Sequence, residues 1–224
     1  MRNNMRSGKP LLMLLMFMAL LGMLLLGGMN SGNAWAQGPT CSDLIVNGDF
    51  ESDGGWNEYS AQGIHLISSF PPPSQSYHSG SRGGYLADYN NAHDRLSQEI
   101  VLPTDAVTVT LVYWWQVDTE ESSDLPRDAM TVTLDALPGT PVAVLNVHSN
   151  LDAAAVWHRA EADLSTYRGR TLVLRFEART DGSLPTGFFI DDVSVIACRP
   201  EPTPTPTSPS RLLKRYFPLL YRTR

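Results

Sequence analysis

The stretch GFFIDDVSV, residues 187–195, sets Asp191 and Asp192 side by side inside what otherwise reads as a buried β-strand. An ionised carboxylate among apolar neighbours needs a cation or several hydrogen-bond donors. Alternation puts Phe189, Asp191, Val193 and Val195 on one face, so that need falls on Asp191, while Asp192 points the other way and reads as solvated. A carboxylate satisfied by backbone N–H groups or by an arginine is the competing reading for Asp191. A second set of side chains suits sugar recognition, which takes an aromatic plate against the pyranose ring and polar groups for its hydroxyls. Trp114, Thr131, Thr133, Arg175 and Glu177 form such a set, and Tyr59, Tyr77, Tyr85 and Tyr89 offer a second at loops along an edge. Against these stand ordinary packing roles: a tryptophan covered by a loop, and loop tyrosines that fill gaps.

Catalysis is not expected. Carboxylate pairs can be drawn almost anywhere among 22 Asp and Glu residues between Cys41 and Cys198, so their presence carries little information. His65, His78, His93, His148 and His158 show no metal-binding spacing, and there is no nucleophile elbow, Cys/His or phosphate-loop pattern. The same region holds eight Arg and no Lys, a net charge of −14 before histidine, which excludes nucleic acid as a natural partner and fits solubility, calcium or both. The acidic run at residues 118–128 suggests a second cation or, more simply, a solvated loop.

The elements that must position these groups are strands. AVTVTLVYWWQV (106–117), AMTVTLDA (129–136), TLVLRFEA (171–178) and FFIDDVSVI (188–196) alternate with period two, and Gly, Pro and Asp turn signals separate them. The pattern predicts an all-β fold, a two-sheet antiparallel β-sandwich. Val107, Val109, Leu111, Tyr113, Trp115 and Val117 are assigned inward, with Trp114 the odd residue on the outer side. Met130, Val132, Leu134, Leu172, Leu174 and Phe176 also face in, leaving Thr131, Thr133, Arg175 and Glu177 outside. If these strands share a sheet, its outer face carries a tryptophan, threonines and an Arg/Glu group. The segment SRGGYLADYNNAHDRLSQ, residues 81–98, reads as a polar loop.

The ends set the location. Residues 1–36 combine basic residues, an apolar run over 11–26 and Ala34-Trp35-Ala36, the pattern of a signal peptide cleaved before Gln37; an uncleaved anchor is disfavoured because a spanning helix needs about 20 apolar residues. The chain is therefore expected outside the cell or at its surface. Cys41 and Cys198, the only cysteines, bracket the folded region and are expected to pair, which requires Cα atoms within about 7 Å and makes the first and last strands neighbours. Two free thiols are the alternative. Residues 37–198 form one domain, 199–210 a Pro/Thr spacer, and 211–224 a basic, aromatic tail suited to a membrane or wall surface or to a sorting system, unless it is merely a frayed end. A monomer is expected.

Three pieces carry a resemblance. LIVNGDFESDGGW supplies Asn47, Gly48, Phe50, Glu51 and Trp56; WHRAEADLSTYRG supplies Trp157, Asp163, Leu164, Ser165, Tyr167 and Gly169; and FIDDV supplies Phe189 to Val193. Together they resemble the carbohydrate-binding-module-like, galactose-binding-like jelly rolls, related to the jelly rolls of secreted peptidases and to MAM-type adhesion domains. The resemblance implies jelly-roll topology, core roles for Trp56 and Trp157, and a structural calcium between the first and last strands with Glu51 and Asp191 among its ligands and Asn47 or Asp49 adding oxygens. It implies a secreted, non-catalytic module binding a polysaccharide or cell-surface glycan, or else a structural or adhesion module that binds protein or nothing.

Overall fold

The computed structural model describes residues 38–69 and 77–200. The alternating segments become strands: β1 Thr40–Asp43, β2 Asn57–Ser60, β3 Ile67–Ser68, β4 Gly83–Ala87, β5 His93–Val101, β6 Thr108–Thr119, β7 Ala129–Ala136, β8 Thr140–Ser149, β9 His158–Asp163, β10 Thr171–Arg179 and β11 Thr186–Arg199. Two single 3-10 turns, Asn150–Asp152 and Ser165–Tyr167, are the only helical pieces among the described residues. One sheet runs β3-β4-β11-β6-β9 with β1 also on β11, and the other runs β2-β5-β10-β7-β8. Every pairing is antiparallel, and the chain crosses repeatedly between the sheets, as in a jelly roll.

Alternation buries one face of each sheet. Phe50, Trp56, Tyr113, Phe176 and Phe188 meet between them, with ring centroids 5.3 Å apart for Phe50 and Trp56 and 5.1 Å for Tyr113 and Phe176. Full burial of side chains of this size contributes about 1.5–3 kcal/mol each. Val109, Leu111, Tyr113 and Val117 point inward as predicted, and so do Met130, Val132, Leu134, Leu172, Leu174 and Phe176. Val107 does not: it precedes β6 and is 49% exposed.

β11 is the spine of its sheet. It pairs with β6 along one side, and on the other with β4 and then β1, where Cys41 sits opposite Cys198. The expected disulfide is present, its Cα atoms 3.9 Å apart. Between Asp191 and Ser194 the register with β6 shifts. This bulge corrects the expected face. Phe189 and Asp191 lie opposite Gln116 and Trp114 on the outside, whereas Val193 and Val195 turn into the core. The 44–50 loop docks at the bulge through Val193 N–H to the Gly48 carbonyl, 2.9 Å. A Cβ at position 48 would lie 1.8 Å from the Val193 carbonyl oxygen, so only glycine permits the approach.

Candidate functional site

The outer face of the five-stranded sheet is built in cross-strand rows. Register places Tyr59, Arg95, Glu177, Thr131 and Val147 in one row, and Asn57, Ser97, Arg175, Thr133 and Val144 in the next. His93 and Arg179 lie beyond the first row, and Asp135 beyond the second. Glu177 gathers two arginines and a histidine: His93 Nε2 at 2.9 Å, Arg179 Nη2 at 2.7 Å and Arg175 Nη1 at 3.5 Å. Burial alone would raise its carboxyl, but the hydrogen bonds and charges of Arg179 and His93 outweigh that and hold it below the ordinary value. Arg175 also reaches Asp135 Oδ2 at 2.5 Å, an ion pair without hydrogen-bond alignment, so Asp135 is fully buried although it points outward. Thr133 Oγ1, Asp135 Oδ1 and Arg175 Nε are buried with no hydrogen-bond partner. Buried polar atoms are nearly always satisfied, so three unsatisfied ones in one spot mark an under-bonded cluster just beneath this face. Beside them Tyr59 is 43% exposed, with the Arg95 guanidinium 4.7 Å over its ring and His93 edge-on at 5.2 Å.

The outer face of the six-stranded sheet is closed by its own chain. Residues 77–82 cross it as a strap held by three carboxylates. Glu51 Oε1 accepts the N–H groups of Ser81 and Arg82 at 2.7 Å each, and its Oε2 accepts the Ser81 hydroxyl. Asp191 Oδ2 accepts Ser79 N–H at 3.0 Å and its Oδ1 accepts Asp192 N–H. Asp192 takes the Ser79 hydroxyl and pairs with His78 Nδ1. The His78 ring stacks on Trp114, centroids 3.9 Å apart and 16° from parallel, and meets Trp157 edge-on at 5.8 Å. Burial and, more weakly, the neighbouring Asp192 charge push the Asp191 carboxyl up to about 6 against the pull of its N–H partners. Those of Ser81 and Arg82, with the Ser81 hydroxyl, hold Glu51 below its ordinary value.

Of the three strands considered together, β7 and β10 share a sheet and β6 does not. Thr131, Thr133, Arg175 and Glu177 come together on the five-stranded sheet, but Trp114 lies on β6 of the other sheet and is covered by His78. Tyr89 does not face a ligand: its hydroxyl donates to buried Asp94 at 2.6 Å and its ring lies against the core. Trp157 is not a core residue but part of the aromatic cluster under the strap, and Asp192 is engaged rather than freely solvated. Trp56 is in the core as expected. Residues 81–98, read as a loop, contain β4 and most of β5, so sequence reasoning passed over His93, Arg95 and Ser97. The period-two signal was there, masked by Asp94 and Gln98 at inward positions where they are buried and bonded to the chain.

The calcium expectation meets a specific obstacle. Asn47 turns away to organise its own loop, its Oδ1 accepting from Ser52 and its Nδ2 donating to the Ser52 and Gly54 carbonyls. Glu51 and Asp191 reach the same strap, but their four oxygens all face N–H or O–H donors, and no set of three His, Cys, Asp or Glu side chains among the described residues is arranged around a metal. As arranged, this donor set does not fit a cation. The signal segment, spacer and basic tail lie outside the described residues, save for the first two residues of the spacer.

A two-sheet antiparallel sandwich with this strand order has jelly-roll architecture. Among solved structures the fold is similar to TmCBM61 in complex with beta-1,4-galactotriose, at 15% identity and a TM-score of 0.51 over 69% of this chain and 97% of that one. The K3 cleaved adhesin domain of Lys-gingipain from Porphyromonas gingivalis w83 aligns at 20% identity and a TM-score of 0.48, over 69% and 98% of the two chains. A family 16 carbohydrate binding module aligns at 17% and 0.43, over 68% and 98%. At these identities the likeness is one of fold. No family model matches the chain, and no curated protein matches it.

Proposed function

We propose that this protein is an exported, non-catalytic, monomeric module that takes carbohydrate across the outer face of its five-stranded sheet. The observation that carries the reading is the exposed aromatic ring of Tyr59 on a polar face, over a buried cluster, Thr133 Oγ1, Asp135 Oδ1 and Arg175 Nε, that lacks hydrogen-bond partners. Tyr59 supplies apolar surface for a ring face, and a shift of the side chains above the cluster would bring a donor, an acceptor and a hydroxyl within reach of a sugar's hydroxyls. Glu177, already paired with Arg175 and Arg179 and bonded to His93, is not free to serve as an acid or base, which supports binding over hydrolysis. The similar TmCBM61 fold was solved with an oligosaccharide, which agrees with the reading. Export rests on the sequence of residues 1–36.

The structural or adhesion reading draws support from the six-stranded face, where His78 of the strap stacks on Trp114. The two are separated by calorimetry of wild type, Tyr59→Ala and Thr133→Val against the polysaccharides retained on a glycan array. Loss of binding in both variants, with unchanged melting, is the expected result. A wild-type protein that retains no glycan would leave the structural reading standing.

A further inference from the structure

On the five-stranded face the charges do not all pair. Arg175 is committed to Asp135 and Glu177, and Arg179 to Glu177. Arg95 lies directly across from Glu177 in the ladder, yet that carboxylate is already held by three other groups. Arg95 rests over the Tyr59 ring instead, and among the described residues it meets no carboxylate and no hydrogen-bond acceptor. Glu99 is the other acid on this face of β5, two same-side positions along, about 13 Å away at the usual strand rise. A guanidinium presents five N–H donors in a planar fork that matches an oxyanion. Stacking holds this fork in place beforehand, on the same sheet face as Arg175 and Thr133.

Resting on the glycan reading above, we propose that the ligand of this face is an anionic sugar, and that Arg95 is the specificity-determining residue that receives its oxyanion, a uronate carboxylate or a sulfate ester. The net charge of −14 between the cysteines opposes a densely charged polyanion. Screening over about 8 Å at physiological salt leaves a single, spaced anionic substituent to respond chiefly to the local cation. The favoured ligand is therefore a largely neutral backbone with isolated anionic groups.

The test uses the purified protein against glucuronoxylan and its carboxyl-reduced form, and against carrageenan and its desulfated form, alongside an array of neutral polysaccharides. Wild type is expected to bind at least one anionic polymer about tenfold or more tightly than its stripped counterpart, the scale of one charge-assisted contact. Arg95→Gln is expected to erase that preference, with melting and neutral-glycan affinity measured beside it to separate loss of the oxyanion contact from displacement of Tyr59, and Arg95→Lys to keep part of it. Whichever pair shows the preference identifies the oxyanion. Equal binding of anionic and stripped polymers, or a preference that survives Arg95→Gln, overturns the inference but leaves the glycan reading intact. Retention of no polysaccharide at all overturns both.

Discussion

The two outer faces of the sandwich begin from the same alternating pattern and solve the same problem, outward-pointing carboxylates, in opposite ways. Under the strap, Glu51 and Asp191 are satisfied by peptide N–H groups, and Asp192 by a hydroxyl and a histidine. On the five-stranded face Asp135 and Glu177 are satisfied by arginine and histidine. The first solution ties down a segment of chain and closes the surface. The second arranges rigid charged side chains, leaves donors and acceptors over, and keeps the surface open for something else.

The largest expected effect tests whether the faces are independent. Replacing Cys41 and Cys198 by serine removes a link across 157 residues. Urea unfolding should then show a loss of about 5 kcal/mol on the chain-entropy argument. Glycan affinity measured well below the melting point should not change, and a parallel loss would show that the six-stranded sheet supports the other face. Next, Asp191→Ala strands the N–H groups of Ser79 and Asp192 and should cost about 3 kcal/mol. That cost should be the same in calcium and in EGTA. A wild-type midpoint that falls with EGTA, with no such fall in the variant, would mean that a cation and not the strap satisfies the site.

The comparison extends to pH. Burial pushes His148, on β8 with its Nε2 2.7 Å from the Tyr113 hydroxyl, down to about 4. The unfolded chain therefore binds a proton near pH 6.5 that the folded chain refuses, and this group's contribution to stability is lost as pH falls from about 6.5 to about 4. At 1.36 kcal/mol per pH unit, that is about 3 kcal/mol. Asp191 has the opposite sign. With its carboxyl raised to about 6, the folded chain holds a proton that the unfolded chain has released, so its contribution falls as pH rises from about 4 to about 6. The two slopes oppose each other in the wild type. His148→Gln should therefore make the protein gain stability on acidification, and Asp191→Ala should make it lose stability more steeply, both read from melting temperature against pH. The smallest effect is the sharpest contrast between faces. Trp114→Ala should alter glycan affinity by less than about twofold, while Tyr59→Ala, which removes an aromatic contact, should weaken it about tenfold.

Much of the fold could be read in the sequence, because period-two alternation in β6, β7, β10 and β11 and the cysteine pair are local signals with one physical interpretation. The failures came where alternation is interrupted for a reason. The bulge after Asp191 reverses the facing of β11, and a single extra residue carries no compositional mark. Asp94 and Gln98 occupy inward positions of β5 because one bonds the Ala87 N–H and Tyr89 hydroxyl and the other both backbone groups of Val46. Those partners lie in other elements, so the strand looked like a loop and Arg95 went unnoticed. The residues of that set came together only in part, for a similar reason. Facing follows from local sequence, but which sheet a strand joins depends on long-range pairing, and Trp114 was on the correct side of the wrong sheet.

The disulfide also determines how the domain carries load. Thr40 pairs with Arg199 and Cys41 with Cys198, so the chain enters and leaves the sandwich at one corner. A pull exerted between the segments before Thr40 and after Arg199 is taken up by a covalent bond one residue inside each end. Inside the Thr40–Arg199 pair the tension passes from one segment to the other without drawing on the sheet ladders, and the five-stranded face carries none of it.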